Sequence, residues 1–91
     1  MQQQNINEEK FKQIVGEIFS ELRKSNSKDS LNNFARAYGF DRGNLSKIER
    51  GQICCQLITA WKLAEALNIK FSDFAKRLED KLGENFKLID E

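Results

Sequence analysis

The stretch FARAYGFDRGNLSKIERG, residues 34–51, restricts the fold of this 91-residue chain more than any other. It places small, apolar and polar residues where two helices crossing at a tight turn need them. Ala35 is small where a first helix must let a second come close, and Gly39 stands where the connecting turn calls for a positive φ, which glycine adopts without a Cβ penalty. Leu45 and Ile48, three apart, share one face of the second helix and point to a core. Arg42, Gly43, Asn44, Ser46 and Lys47 lie between or beside those positions and face outward together. That outward set is a candidate surface for reading DNA.

Around this helix-turn-helix pattern the chain reads as helical throughout. Pro is absent and Gly numbers five, too little punctuation for an all-β architecture, whereas long stretches of Lys, Glu, Leu, Ala and Ile favour helices. Ninety-one residues with 40% hydrophobic content support one domain with one modest core and exclude a second.

A first helix is predicted to begin after Asn7, a capping residue followed by Glu8 and Glu9, which suit the positive end of the helix dipole. Phe11, Ile14, Val15, Ile18, Phe19 and Leu22 form its buried stripe. The polar run 25–30 ends it and supplies Ser30 as the cap of a helix over 31–38. Asp41 caps a third helix over 42–50, and Gly51 stops it. After a loop over 52–55 comes a fourth helix with the stripe Leu57, Ala60, Trp61, Leu63, Ala64 and Leu67, ended by Asn68 in the left-handed conformation. Phe71, Phe74, Ala75, Leu78 and Leu82 predict a fifth, closed by Gly83. Trp61 and Tyr38 fall on or near the apolar stripes, so core packing is expected of them rather than stacking on bases.

Residues 1–83 are thus read as the domain and 84–91 as a short C-terminal tail. Phe86, Leu88 and Ile89 make the tail partly apolar. Either it frays, or Phe86 and Leu88, two apart, form one face of a strand-like arm that docks on a neighbouring subunit.

Several function classes fall away on composition. No apolar run approaches a membrane span, and MQQQNINEEK lacks the charged-then-apolar order of a signal peptide, so a cytoplasmic location is expected. Cys54 and Cys55 are adjacent and His is absent, which leaves no long-range disulfide and no ligand set for zinc; the expectation is two free thiols. A redox role would need a setting that favours thiolate. Without His, Ser46 or Cys54 has no base to activate it as a nucleophile, and there is no Gly-rich phosphate loop. Neither catalysis, metal nor cofactor is expected.

Net charge is only +1, but it is unevenly placed. Residues 28–53 hold five basic against three acidic side chains, and residues 71–91 four basic against six acidic. The mild basic excess falls on the helix-turn-helix, and the acidic excess in the tail.

Leu22-Arg23-Lys24, Phe34-Ala35 with Gly39, the run from Asn44 through Ser46, Lys47 and Glu49 to Arg50-Gly51, and Lys62-Leu63-Ala64-Glu65-Ala66-Leu67 follow one another in order, the spacing from Gly51 to the last block being ungapped. In these residues, over about residues 18–75, the chain resembles the lambda-repressor and Cro-like family of five-helix DNA-binding domains, the XRE-type regulators. It departs from the family at Leu31, where a phosphate-contacting Gln is common after the capping Ser, and at Asp29, where an apolar residue is common. Ile53, Cys54 and Cys55 replace the basic residues and Pro often found after helix three, leaving Gln52 and main-chain amides to hold the backbone there.

The resemblance implies an all-α, five-helix domain that binds double-stranded DNA in a sequence-specific manner and regulates transcription, repression being the commoner outcome. It implies Arg42 and Lys47 as base readers, with Asn44 or Ser46 adding a base or phosphate contact and Arg50 a phosphate contact. Gly43 is either a tolerated glycine at a helix start or a place where the backbone comes close to DNA. Lys28 and Arg36 are either phosphate partners or solvated surface charges. Glu49 is implied to pair with Arg23 across helices one and three. Because one short recognition helix reads few bases, a homodimer is expected. The competing reading is a protein-interaction or antitoxin-like module on the same fold, in keeping with the near-neutral charge and the apolar tail.

Overall fold

The computed structural model describes residues 6–89, in which five helices follow one another with no strand among the described residues: α1 (Ile6–Asn26), α2 (Leu31–Tyr38), α3 (Arg42–Glu49), α4 (Leu57–Ala66) and α5 (Phe71–Leu82). Residues 1–5 of the expected domain and 90–91 of the expected tail lie outside the described residues. The local chemistry of the breaks is as expected. Ser30 Oγ accepts the Asn33 amide at 3.2 Å, and the Asp41 carboxylate accepts the Asn44 amide at 2.9 Å, each satisfying an orphan donor at a helix start. Gly39, at φ +74°, turns the chain between α2 and α3, and Asn68, at φ +61°, ends the α4 region in the left-handed conformation.

Helix α1 is longer than expected at both ends. It begins at Ile6, so Asn7 is no cap: its side-chain amide instead donates to the Lys87 carbonyl at 2.7 Å. It also runs through Ser25 and Asn26, where Ser25 Oγ donates to the Glu21 carbonyl at 2.7 Å and the Asn26 side-chain amide donates to the Leu67 carbonyl at 2.9 Å. The second of these ties the end of α1 to the end of α4. Helix α3 stops one residue short of the expected 42–50, with Arg50 as its C-cap.

The core lies where α1 meets α3 and α5. Ile18, Phe19, Phe34, Leu45, Leu63 and Leu67 are fully buried, and Phe19 stacks on Phe74 with ring centroids 4.5 Å apart. Two glycines let α1 cross the end of α3. A Cβ on Gly16 would lie 2.3 Å from the Ile48 carbonyl oxygen and 2.7 Å from that of Glu49. Gly51, at φ +74°, faces α1 from the other side of the contact; a Cβ there would lie 2.8 Å from Gln13 Cα.

Core packing does not hold for Trp61 and Tyr38, each 53% exposed, nor for Leu57, 72% exposed. The buried side of α4 is Ala60, Leu63, Ala64 and, just past its end, Leu67, which rotates Leu57 and Trp61 toward solvent. Trp61 lies over Phe71, centroids 5.5 Å apart, and its Nε1 donates to Glu65 at 3.1 Å. Tyr38 leans on Phe34.

The tail is neither frayed nor a strand in its described part. After Gly83 it turns back on α1, where Phe86 stacks on Phe11 at 6.2 Å and lies beneath the Lys10 ammonium. Phe86, which in one of the two alternatives would dock on a neighbouring subunit, packs on its own chain, while Leu88 and Ile89 stay exposed. Among the described residues no helix is long and apolar enough to cross a membrane.

Candidate nucleic-acid interface

A surface meant to read another molecule has to be held still from behind, and α3 is. Leu45 and Ile48 are buried on its inner side. At its last turn the Arg23 guanidinium from α1 grips the Glu49 carboxylate with two hydrogen bonds, Nε at 2.8 Å and Nη2 at 2.9 Å. Both side chains are about nine-tenths buried, and Glu49 holds the Arg23 pKa above its already high value. Arg23 Nη1 also donates to the Asp29 carbonyl at 3.3 Å, so the same guanidinium steadies the loop ahead of α2. Among the described residues no buried side-chain polar atom lacks a partner.

The outward side of α3 then follows from helical geometry. Gly43, Lys47 and Arg50 fall on one exposed stripe, with Arg42 and the half-buried Ser46 on its α2 side and exposed Asn44 on its α4 side. Arg42 does not wave freely: its Nε donates to the Asn32 side-chain carbonyl in the first turn of α2, leaving the remaining guanidinium donors to point elsewhere. Arg50 folds back toward the Ser46 carbonyl at 3.4 Å. Lys47 carries its charge with no ion pair among the described residues. Gln52 is exposed just beyond, its backbone N–H donating to the Lys47 carbonyl at 2.9 Å. Lys28 and Arg36 are also exposed.

Gly43 differs from Gly16 and Gly51. A Cβ added there would meet only the Asp41 carboxylate, at an ordinary 3.5 Å, and its φ is not positive. The fold has no need of glycine at this position.

Beside α3 the chain forms a hollow of about 540 Å³ between the α2–α3 turn and the start of α4, with Tyr38, Asn44, Gln56, Thr59 and Lys62 among its lining. Gln56 caps α4 without a side-chain hydrogen bond, so the positive end of that helix opens beside a lysine, a threonine and a tyrosine. This set suits a sugar-phosphate backbone running alongside α3. It was not anticipated from sequence, because Lys62 and Thr59 belong to α4 and only the tertiary fold brings them to Asn44. Cys55 also lines the hollow, and burial, with Cys54 beside it, pushes its thiol up to about 11. Both cysteines are free, and no cluster of potential metal ligands occurs among the described residues.

A family profile described as Helix-turn-helix matches residues 19–74, from the middle of α1 to the first turn of α5. No curated protein matches the chain.

Proposed function

The chain belongs to the lambda-repressor and XRE-type helix-turn-helix family of DNA-binding regulators, and on that premise we propose that it recognises a specific operator by laying α3 in the major groove. The observation that carries the reading is the two-sidedness of α3. Its inner face and last turn are locked by Leu45, Ile48 and the Arg23–Glu49 pair, while Arg42, Gly43, Lys47 and Arg50 project together from the other side. In this reading Arg42, steadied by Asn32, and Lys47 read base edges, with Asn44 or Ser46 adding a contact. Arg50, Gln52 and the hollow containing Thr59 and Lys62 hold phosphates. Gly43 lets the helix backbone come close to the groove floor.

The proposed role is binding and not catalysis, in the cytoplasm, as a homodimer that represses by occupying its site. The test is selection of binding sites from a random duplex pool, followed by affinity measurements on the selected and a scrambled duplex over a range of salt. A selected motif with log K falling by about 0.9 per neutralised phosphate for each log unit of salt supports the reading. No enrichment, with no salt-dependent retention on any duplex, refutes it and leaves the protein-interaction module.

A further inference from the structure

Three exposed apolar side chains crowd the first two turns of α4: Leu57, Ile58 and Trp61, the first two 72% and 62% exposed. Immediately behind Trp61 runs a hollow of about 550 Å³ with Ala64, Ile69 and Phe71 in its wall and Glu65 and Lys70 at its edge. Among the described residues no helix covers this face. We propose that it is where a second copy of the chain docks, across a two-fold axis that sets the two α4 helices antiparallel. The assignment deepens the reading of the chain as a dimeric operator binder and rests on it.

Three observations select a second copy as the occupant. The first is self-complementarity. The face carries projections at its N-terminal end, Leu57 and Ile58, and a hollow at its C-terminal end, behind Trp61. A two-fold axis between them puts each copy's projections over the other's hollow, the reciprocal contact that an isologous interface requires. The second is extent. Leu57, Ile58 and Trp61 present on the order of 400 Å² of apolar surface, already within the size of patch that marks an interaction site. Two such patches with a rim of Gln56, Lys62, Glu65 and Lys70 approach the roughly 1,200 Å² at which specific interfaces begin. The rim mixes both signs of charge, so antiparallel pairing lines up no row of like charges.

The third is placement. The face starts one short loop after α3, so a two-fold axis there keeps both α3 helices close to it. Reading successive major grooves requires each α3 to lie about 17 Å from the axis, half of one helical repeat of DNA. The body measures 42 × 28 × 19 Å, which accommodates that offset. In the described tail Phe86 is already packed on Phe11, which takes that ring out of any competing interface.

Trp61 is the chain's one tryptophan and reports on its own burial. The experiment is sedimentation equilibrium of the full chain over about 1 to 100 μM, a span that brackets weak specific association, with tryptophan emission and iodide quenching on the same samples. Expected is a monomer–dimer equilibrium in which emission shifts blue and quenching falls as dimer forms. Ile58→Glu is expected to weaken dimerisation about a hundredfold while leaving helix content intact, as burial of an unpaired charge at the centre of an interface does. Should that variant misfold, Leu57→Lys, at the most exposed position of the patch, serves in its place.

A monomer at every concentration overturns the proposal. So does a dimer whose Trp61 stays as quenchable as in the monomer, or one indifferent to both substitutions. Binding to the selected duplex separates this from the functional reading: a chain that dimerises through Trp61 but retains no DNA defeats the operator reading alone. A chain that binds DNA with Trp61 exposed throughout defeats the interface alone.

Discussion

Replacing Gly16 by alanine is the smallest change that tests how α3 is held. The added Cβ would stand 2.3 Å from the Ile48 carbonyl oxygen and 2.7 Å from that of Glu49. An ordinary carbon–oxygen contact is about 3.3 Å, so α1 has to retreat by about 1 Å from the last turn of α3. No rotamer change can absorb this, because both obstacles are backbone. Overpacking of this kind costs about 1–3 kcal/mol, with the upper end apt where nothing flexible can yield, and alanine in place of a mid-helix glycine returns up to about 1 kcal/mol. The expected net loss is about 2 kcal/mol, which for a domain of this size lowers Tm by about 8–16 °C.

Gly43→Ala is the internal control, since its Cβ has room. It is expected to melt at the same temperature or slightly higher, yet to bind the selected operator less tightly because the methyl group holds the helix off the groove. Thermal melts followed by circular dichroism, with urea titrations to obtain the free energies, check both. A Gly16→Ala protein as stable as the parent would refute the argument that glycine is needed for this crossing. A Gly43→Ala protein with undiminished affinity would remove Gly43 from the reading surface.

Arg23→Ala and Glu49→Ala are each expected to cost about 2 kcal/mol in a urea titration, since each strands a largely buried charged partner, and to weaken operator binding although neither side chain meets a base. Unchanged stability and affinity in both would contradict this. Arg42→Ala is expected to cost about 1–3 kcal/mol on the operator and to relax preference at one base position. Arg50→Ala is expected to weaken operator and scrambled duplex alike and to reduce the salt slope by about one. Equal losses on both duplexes for Arg42→Ala would reassign it to phosphate.

For the thiols, iodoacetamide at pH 8 is expected to alkylate exposed Cys54 well before Cys55, as mass spectrometry of a time course will show. Because burial raises the folded-state pKa of Cys55 to about 11, its protonated form favours the fold. That contribution is complete below the unfolded thiol's value near about 8.5 and is lost as pH rises through about 11, which urea titrations across that window measure. Replacing both cysteines by serine is expected to leave DNA binding unchanged.

What could be read from the chain was what local chemistry decides. Ser30 and Asp41 as caps, the left-handed Gly39 and Asn68, and the inward Leu45 and Ile48 all depend on neighbours within a turn or so. The Arg23–Glu49 pairing spans 26 residues and came from the resemblance, not from periodicity. Where tertiary contacts outvote local preference, the reading went astray. Asn7 and Asn26 look like residues that bound a helix from outside, but each spends its side-chain amide on a distant carbonyl and is itself part of α1. Trp61 and Leu57 fit an apolar stripe in sequence, yet the stripe is wider than the buried face of α4, which Ala60, Leu63 and Ala64 fill, and both are left outside. Gly16 carried a faint signal, an isolated glycine amid good helix formers, whose meaning depended on which backbone passes in front of it.

The bond from Asn7 to the Lys87 carbonyl has a topological consequence. It brings the first turn of the first helix and the end of the described chain to one spot, with the Phe11–Phe86 contact beside it. A few flexible residues joining the start of α1 to the end of the described tail would therefore close the described body into a ring with little strain, and the ring could be reopened between α1 and α2, at exposed Lys28. In such a circular permutant α1 would be synthesised last, after the elements that pack around it, while the order α2, α3, α4, α5 and the reading surface stayed intact.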